Sequence, residues 1–186
     1  MSDRQQLERA VEVLRSGGVI GYPTEGCFGL GCDPRNTAAI RSLLGRKRRS
    51  WRQGLILIGA HWGQLAPWVD RSDPLPLARA RATWPGPHTW LLPAHPQVSR
   101  WLRGEHDTIA VRITAHALAA ALCRAFRGAI VSTSANRHGF PPVATAGQLE
   151  RQFAGGVELV LAGRLGGSPG PTAIHDARTG KMLRAG

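Results

Sequence analysis

Short apolar runs of strand length alternate with helix-period segments along almost the entire chain, and nothing else in it restricts the fold as tightly. Val19-Ile20-Gly21-Tyr22, Leu55-Ile56-Leu57-Ile58, Thr108 to Ile113 and Ala129 to Ser132 read as buried strands, with an extended Thr89 to Leu92 between the second and third. Gln5 to Arg15 places Leu7, Ala10, Val11 and Leu14 on one helical face, and Gly17-Gly18 ends that helix. Further helices are expected near Asn36 to Leu44, Gln64 to Val69, Leu75 to Thr83 and His116 to Phe126. Thr145 and Gln148 have capping-box spacing for a helix to about Phe153, ahead of a Val157 to Leu161 strand and two short terminal strands, Thr172 to Asp176 and Met182 to Arg184. Pro23 is expected to stop the first strand, Gly26 to Gly31 to form a glycine-rich turn, and Arg46-Lys47-Arg48-Arg49 to form a basic loop. Trp84-Pro85-Gly86-Pro87 must be a turn. There is no internal repeat and no long linker, so the pattern predicts one α/β domain over residues 1–186, a twisted open mixed sheet with flanking helices.

Hydrophobic residues make up 42% and charged residues 19% of the 186, a balance that supports a packed core and excludes a disordered chain. No apolar stretch approaches the roughly 20 residues of a membrane span, so a soluble protein is expected. Cys27, Cys32 and Cys123 cannot all pair within one chain and sit at no recognisable zinc spacing. Structural thiols in a reducing, cytoplasmic setting follow, with no metal site. The 24 basic against 12 acidic residues give a formal charge of +12, enough to attract RNA or a nucleotide. Because 22 of the 24 are Arg, spread from Arg4 to Arg184, composition bias explains the excess equally well, and charge alone locates no site.

The familiar nucleotide signatures fail. There is no P-loop, and Gly29-Leu30-Gly31 lacks the third glycine of a dinucleotide fingerprint because position 34 is Pro. There is no Gly-x-Ser-x-Gly elbow, and the seven His residues form no triad-like pattern. The six Trp residues lie in helical or turn contexts that favour packing over base stacking. What remains is Tyr22-Pro23-Thr24-Glu25 followed by Gly26-x-x-Gly29-Leu30-Gly31-Cys32-Asp33, where a strand reaches the surface. Lys47-x-Arg49 comes next, then Gly54 to Ile58, Trp84 to Pro87, Ala110-Val111-Arg112, Ser132-Thr133-Ser134-Ala135-Asn136, Pro171 to Asp176 and Leu183-Arg184.

In this order the elements resemble the YrdC-type threonylcarbamoyl-AMP synthase family, in its short bacterial form, over residues 7–186. The resemblance implies a YrdC-like fold with a concave basic surface, and a nucleotidyltransferase that makes threonylcarbamoyl-AMP and pyrophosphate from L-threonine, bicarbonate and ATP with Mg2+. That product serves the N6-threonylcarbamoyladenosine modification of tRNAs reading codons that begin with A. The resemblance also implies site residues. Lys47 and Arg49 are the catalytic cations and bind ATP together with Thr108, Ser134, Asn136 and Arg184, while Thr24, Arg112, Ser132 and Thr172 hold threonine. Cations suit a triphosphate site without a P-loop, and an Arg fork suits a carboxylate. The implied partners are the other tRNA threonylcarbamoylation proteins, with weak RNA or tRNA binding. Glu25 either contacts the substrate or holds the loop. Ser50 and Gln53 depart from the family pattern, which commonly has Pro and Lys there, and His88 replaces a usually apolar residue. Two rival readings are an RNA-binding module without catalysis and a carbamoyl-transfer subunit with a different acceptor.

Overall fold

The computed structural model describes residues 2–137 and 139–186. One of the seven histidines, His138, therefore lies outside the described residues. In chain order the elements are α1 (Asp3–Arg15), β1 (Ile20–Pro23), β2 (Phe28–Gly31), α2 (Thr37–Lys47), β3 (Ile56–Gly59), α3 (Trp62–Leu65), α4 (Pro74–Arg81) and β4 (His88–Pro93). There follow α5 (Arg100–Arg103), β5 (Thr108–Ile113), α6 (Ala117–Phe126), β6 (Ile130–Ser134), α7 (Ala146–Gln152), β7 (Leu159–Val160), β8 (Ala173–Asp176) and β9 (Met182–Arg184). The helix starts follow their caps. Ser2 and Thr145 each close a capping box, and the Asn36 side chain accepts from the Ala39 N–H.

The strands form one mixed sheet in the order β7-β1-β2-β6-β3-β5-β4-β8-β9. β3 sits near its middle, parallel to β5 and antiparallel to β6, which explains why its sequence is a continuous apolar run. Side chains alternate between the faces along each strand. Leu30, Leu57, Leu92, Ile109, Val111 and Val131 point to one face, in a core cluster with Ile40 and Leu43 of α2. Leu65 of α3, Ala80 of α4, Leu102 of α5 and Leu149 of α7 belong to the same cluster. Ile20, Tyr22, Ile58 and Ile130 point to the other face, under Ala10, Val11 and Leu14 of α1 and Ala119, Leu122 and Phe126 of α6. Among the described residues only α1 and α6 cover that second face, and they cover only part of it.

Pro23 ends β1 as expected, paired with Phe28. The structure differs from the sequence expectation in three places. The expected glycine-rich turn is confined to Thr24 to Cys27, closed by the Thr24 N–H donating to the Cys27 carbonyl at 3.1 Å. Phe28 to Gly31 is instead β2, antiparallel to β1. Its glycines answer a packing need: a Cβ on Gly31 would lie 2.6 Å from the Val131 carbonyl oxygen and 2.9 Å from the Tyr22 ring. The basic loop is partly helix, since α2 runs on to Lys47 and ends on Arg48 in the left-handed conformation. Helix α5, which carries no strong periodic signal, was not expected. The six tryptophans pack against the larger core cluster, and the three cysteines are buried and unpaired. Among the described residues no helix is long and apolar enough to cross a membrane.

Candidate active site

A cavity of about 350 Å³ opens over the part of the second face that α1 and α6 leave bare. Register explains its lining. Ile56 is paired with both Ala110 and Ser132, Gly29 with Ser134, Leu91 with Ala110, and Ile174 with Arg184. Residues directly opposite share a face, and so do residues two apart, which adds Thr108 and Arg112. All of these line the cavity. The strand period alone therefore gathers residues from β2, β6, β3, β5, β4, β8 and β9 onto one surface.

Eight of the ten expected site residues stand on this wall: Thr24, Arg49, Thr108, Arg112, Ser132, Ser134, Thr172 and Arg184. Lys47 and Asn136 do not. Lys47 is 3% exposed and its ammonium donates to the backbone carbonyls of Ser134 and of Asn136, the latter at 2.7 Å. The Ser134 hydroxyl donates to Asn136 Oδ1 at 2.6 Å, and Asn136 Nδ2 donates to the Phe140 carbonyl at 2.6 Å. The segments around 47 and 134 thus meet, but Lys47 and the Asn136 amide are engaged in building the turn behind the wall. Burial, and then the like charge of Arg49, push the Lys47 ammonium down to about 8.

The wall is cationic. Arg49, Arg103, Arg112 and Arg184 line it, and among the described residues no Asp or Glu does. Arg49 donates to the Gly54 carbonyl at 3.0 Å, and Arg184 to the Thr172 carbonyl at 2.8 Å. Burial lowers the pKa of both guanidinium groups, and the charge of Arg184 adds to the effect on Arg49. The Thr24 hydroxyl donates to the Cys27 carbonyl at 2.7 Å, and the Thr172 and Thr89 hydroxyls are 3.0 Å apart. Glu25 lies behind Arg112, with Oε2 3.3 Å from Nη2. Burial opposes ionisation of Glu25, but Arg112, the Thr114 hydroxyl and the Ala115 N–H outweigh it and hold the carboxyl below its ordinary range. Arg103, His106 and Cys27 also reach the wall and were not expected there. Arg103 ends the short α5 and His106 lies in the turn after it, where residue type gives no signal of facing. Among the described residues no three His, Cys, Asp or Glu side chains cluster to hold a metal ion.

A four-cation wall without acids, over strands whose polar residues fall on one register, is built for an anionic ligand. The family model described as "Telomere recombination" (Sua5/YciO/YrdC) matches residues 12–186. The chain belongs to the Sua5/YciO/YrdC family. A threonylcarbamoyl-AMP synthase from Methylococcus capsulatus is 53% identical over 180 residues, covering 96% of each chain. One from Coxiella burnetii is 47% identical over 180 residues, covering 97% of each. Among solved structures of the Sua5/YciO/YrdC family, P. abyssi Sua5 in complex with L-threonine superposes with a TM-score of 0.87 at 28% identity, covering 95% of this chain and 52% of that one. E. coli YciO superposes with a TM-score of 0.80 at 26% identity, covering 94% and 84%. This chain thus spans about half the length of the longer Sua5 protein and nearly all of its synthase relatives.

Proposed function

We propose that the chain is an L-threonylcarbamoyladenylate synthase, a nucleotidyltransferase that takes L-threonine, bicarbonate and ATP. The observation that carries this reading is the placement of Arg112 and Ser132 on one cavity wall with Arg49 and Arg184. A carboxylate and a polyphosphate then have cations within one enclosure. Near-full-length similarity to curated threonylcarbamoyl-AMP synthases supports the same reading.

The threonine amine adds to CO2 derived from bicarbonate, forming an N–C bond and releasing a proton to solvent. A carbamate oxygen then attacks the α-phosphorus of ATP, the bond to the β-phosphate oxygen breaks, and pyrophosphate leaves with the electron pair. No covalent bond to the protein forms, so its work is positioning and charge stabilisation. Arg112, with the hydroxyls of Thr24, Ser132 and Thr172, holds threonine. Arg49 and Arg184, with Ser134 and Thr108, hold the nucleotide and stabilise the leaving pyrophosphate. Lys47 acts from behind the wall, where it shapes the 134–136 turn with Asn136 and adds its charge. Mg2+ arrives with ATP as part of the substrate, because a wall without carboxylates offers it no seat of its own. The mixed anhydride passes to other proteins of tRNA threonylcarbamoylation in the cytoplasm.

The test is pyrophosphate release by the purified protein. Release that requires ATP, threonine and bicarbonate together is expected; release that is independent of threonine would contradict the reading. Lys47→Ala should abolish turnover, whereas an RNA-binding module would lose only modest affinity.

A further inference from the structure

For attracting anions alone, the cavity would do better without Glu25. Its carboxylate stands against the back of Arg112, the side chains of both residues are almost fully buried, and its negative charge subtracts from the potential that the wall offers a ligand. Withdrawing two charges from water is costly, so such a pair is weak evidence of stabilisation by itself. What it supplies is orientation. A guanidinium is a rigid planar fork, and fixing one edge determines where its other N–H groups point.

Glu25 is in turn held on every side. Oε1 accepts from the Thr114 hydroxyl at 2.7 Å and from the Ala115 N–H at 3.1 Å. Its backbone carbonyl accepts from the Ser168 N–H at 2.9 Å, and a Cβ on Gly166 would come within 3.0 Å of its Cα. Oε2 makes no hydrogen bond among the described residues; Arg112 Nη2 faces it at 3.3 Å as an ion pair. Arg112 Nε, on the same edge of the guanidinium as Nη2, is buried without a partner among the described residues, so the N–H groups of the other edge are those left for a ligand in the cavity that Arg112 lines. Glu25 itself is not among the residues that line the cavity, which places its carboxylate behind Arg112.

We infer that Glu25 is a positioning residue for amino-acid selection: it clamps one edge of the Arg112 guanidinium so that the remaining N–H groups meet the substrate carboxylate. The inference rests on the synthase reading and adds to it a determinant of carboxylate recognition outside the cavity wall.

The experiment compares threonine with 1-aminopropan-2-ol, which is threonine with its carboxylate replaced by hydrogen. Binding of each to the full chain in the presence of ATP is measured by calorimetry, and the KM and kcat for threonine are measured in parallel. Glu25→Gln should weaken threonine at least tenfold and raise its KM correspondingly. ATP affinity should stay within twofold, and the affinity of the amino alcohol should be unchanged. Glu25→Asp, which keeps the charge but withdraws it by one methylene, should lose less. Should Glu25→Gln fail to fold, the Asp variant carries the same comparison, with threonine weakened and the amino alcohol unaffected. Equal losses for both ligands would show that Glu25 only supports the fold, and an unchanged threonine affinity would remove it from recognition; either result overturns the inference. Failure of the synthase reading looks different, since wild-type protein would then release no pyrophosphate in response to threonine, and the inference would fall with it.

Discussion

Two halves of one sheet face make an instructive contrast. On β6, Ile130 is fully buried beneath α6, while Ser132, two residues on and facing the same way, lines the cavity. On β3 the pair is Ile58 under the helices and Ile56 at the cavity. The backbone treats the halves alike, since both follow the period of two. The difference lies in what covers them. The helix-covered half is closed by Leu14, Leu122 and Phe126, and burial of apolar area stabilises it. The bare half keeps hydroxyls and guanidinium groups that no protein partner fully satisfies, among them Arg49 Nε and Arg112 Nε. Removing groups from the first should therefore cost stability, and removing groups from the second should cost ligand affinity.

The contrast breaks most visibly with Leu122→Ala. This fully buried α6 residue should cost about 2–5 kcal/mol in denaturant unfolding while leaving the KM for ATP unchanged. A large change in KM would mean that the halves are not independent. Arg49→Ala, on the bare half, should do the reverse, lowering kcat/KM for ATP by about 100- to 1000-fold with an unaltered circular dichroism spectrum. A loss of only a fewfold would place the phosphates elsewhere.

A smaller effect sharpens the electrostatic side. In the free protein Lys47 titrates at about 8, so below that pH it carries its charge and above it the charge is lost. An anion that favours the charged form must then take up a proton on binding. Affinity for ATP should therefore fall as pH rises through 8, by up to about tenfold per pH unit. Calorimetry across pH 7–9.5 checks this, and Lys47→Arg should flatten the profile. The smallest effect belongs to the helices. Thr145→Ala removes the cap of α7, which packs on the side of β1 away from the cavity, and should cost about 1 kcal/mol with no change in turnover.

Much of the framework that carries both halves could be read from the sequence. Thr108 to Ile113 is strand as expected, and the capping box at Thr145 and Gln148 forms as expected. Local period and cap chemistry suffice there because each signal lies within a few residues. The bare half was legible mainly through family resemblance, because its contacts join distant segments. Lys47 meets Ser134 and Asn136 across almost 90 residues, and Glu25 meets Arg112 across a similar span. No local pattern announces that a lysine in a basic run will turn inward to carbonyl groups, or that a loop carboxylate will back an arginine. Phe28 to Gly31 misled for a related reason. Alternate glycines imitate a turn, but they are strand positions kept bare for Tyr22, Thr24 and Ser132. Arg103 and His106 reach the wall from a stretch whose facing depends on how α5 is docked.

The central claim is that the bare half of this face holds a nucleotide and an amino acid side by side. A crystal structure of the protein with threonine and a non-hydrolysable ATP analogue tests it most directly. The account predicts the phosphates between Arg49, Arg184 and Ser134, with the threonine carboxylate on Arg112. A nucleotide bound instead in the groove lined by Arg35, Arg124 and Arg127 at the other end of β6 would contradict it.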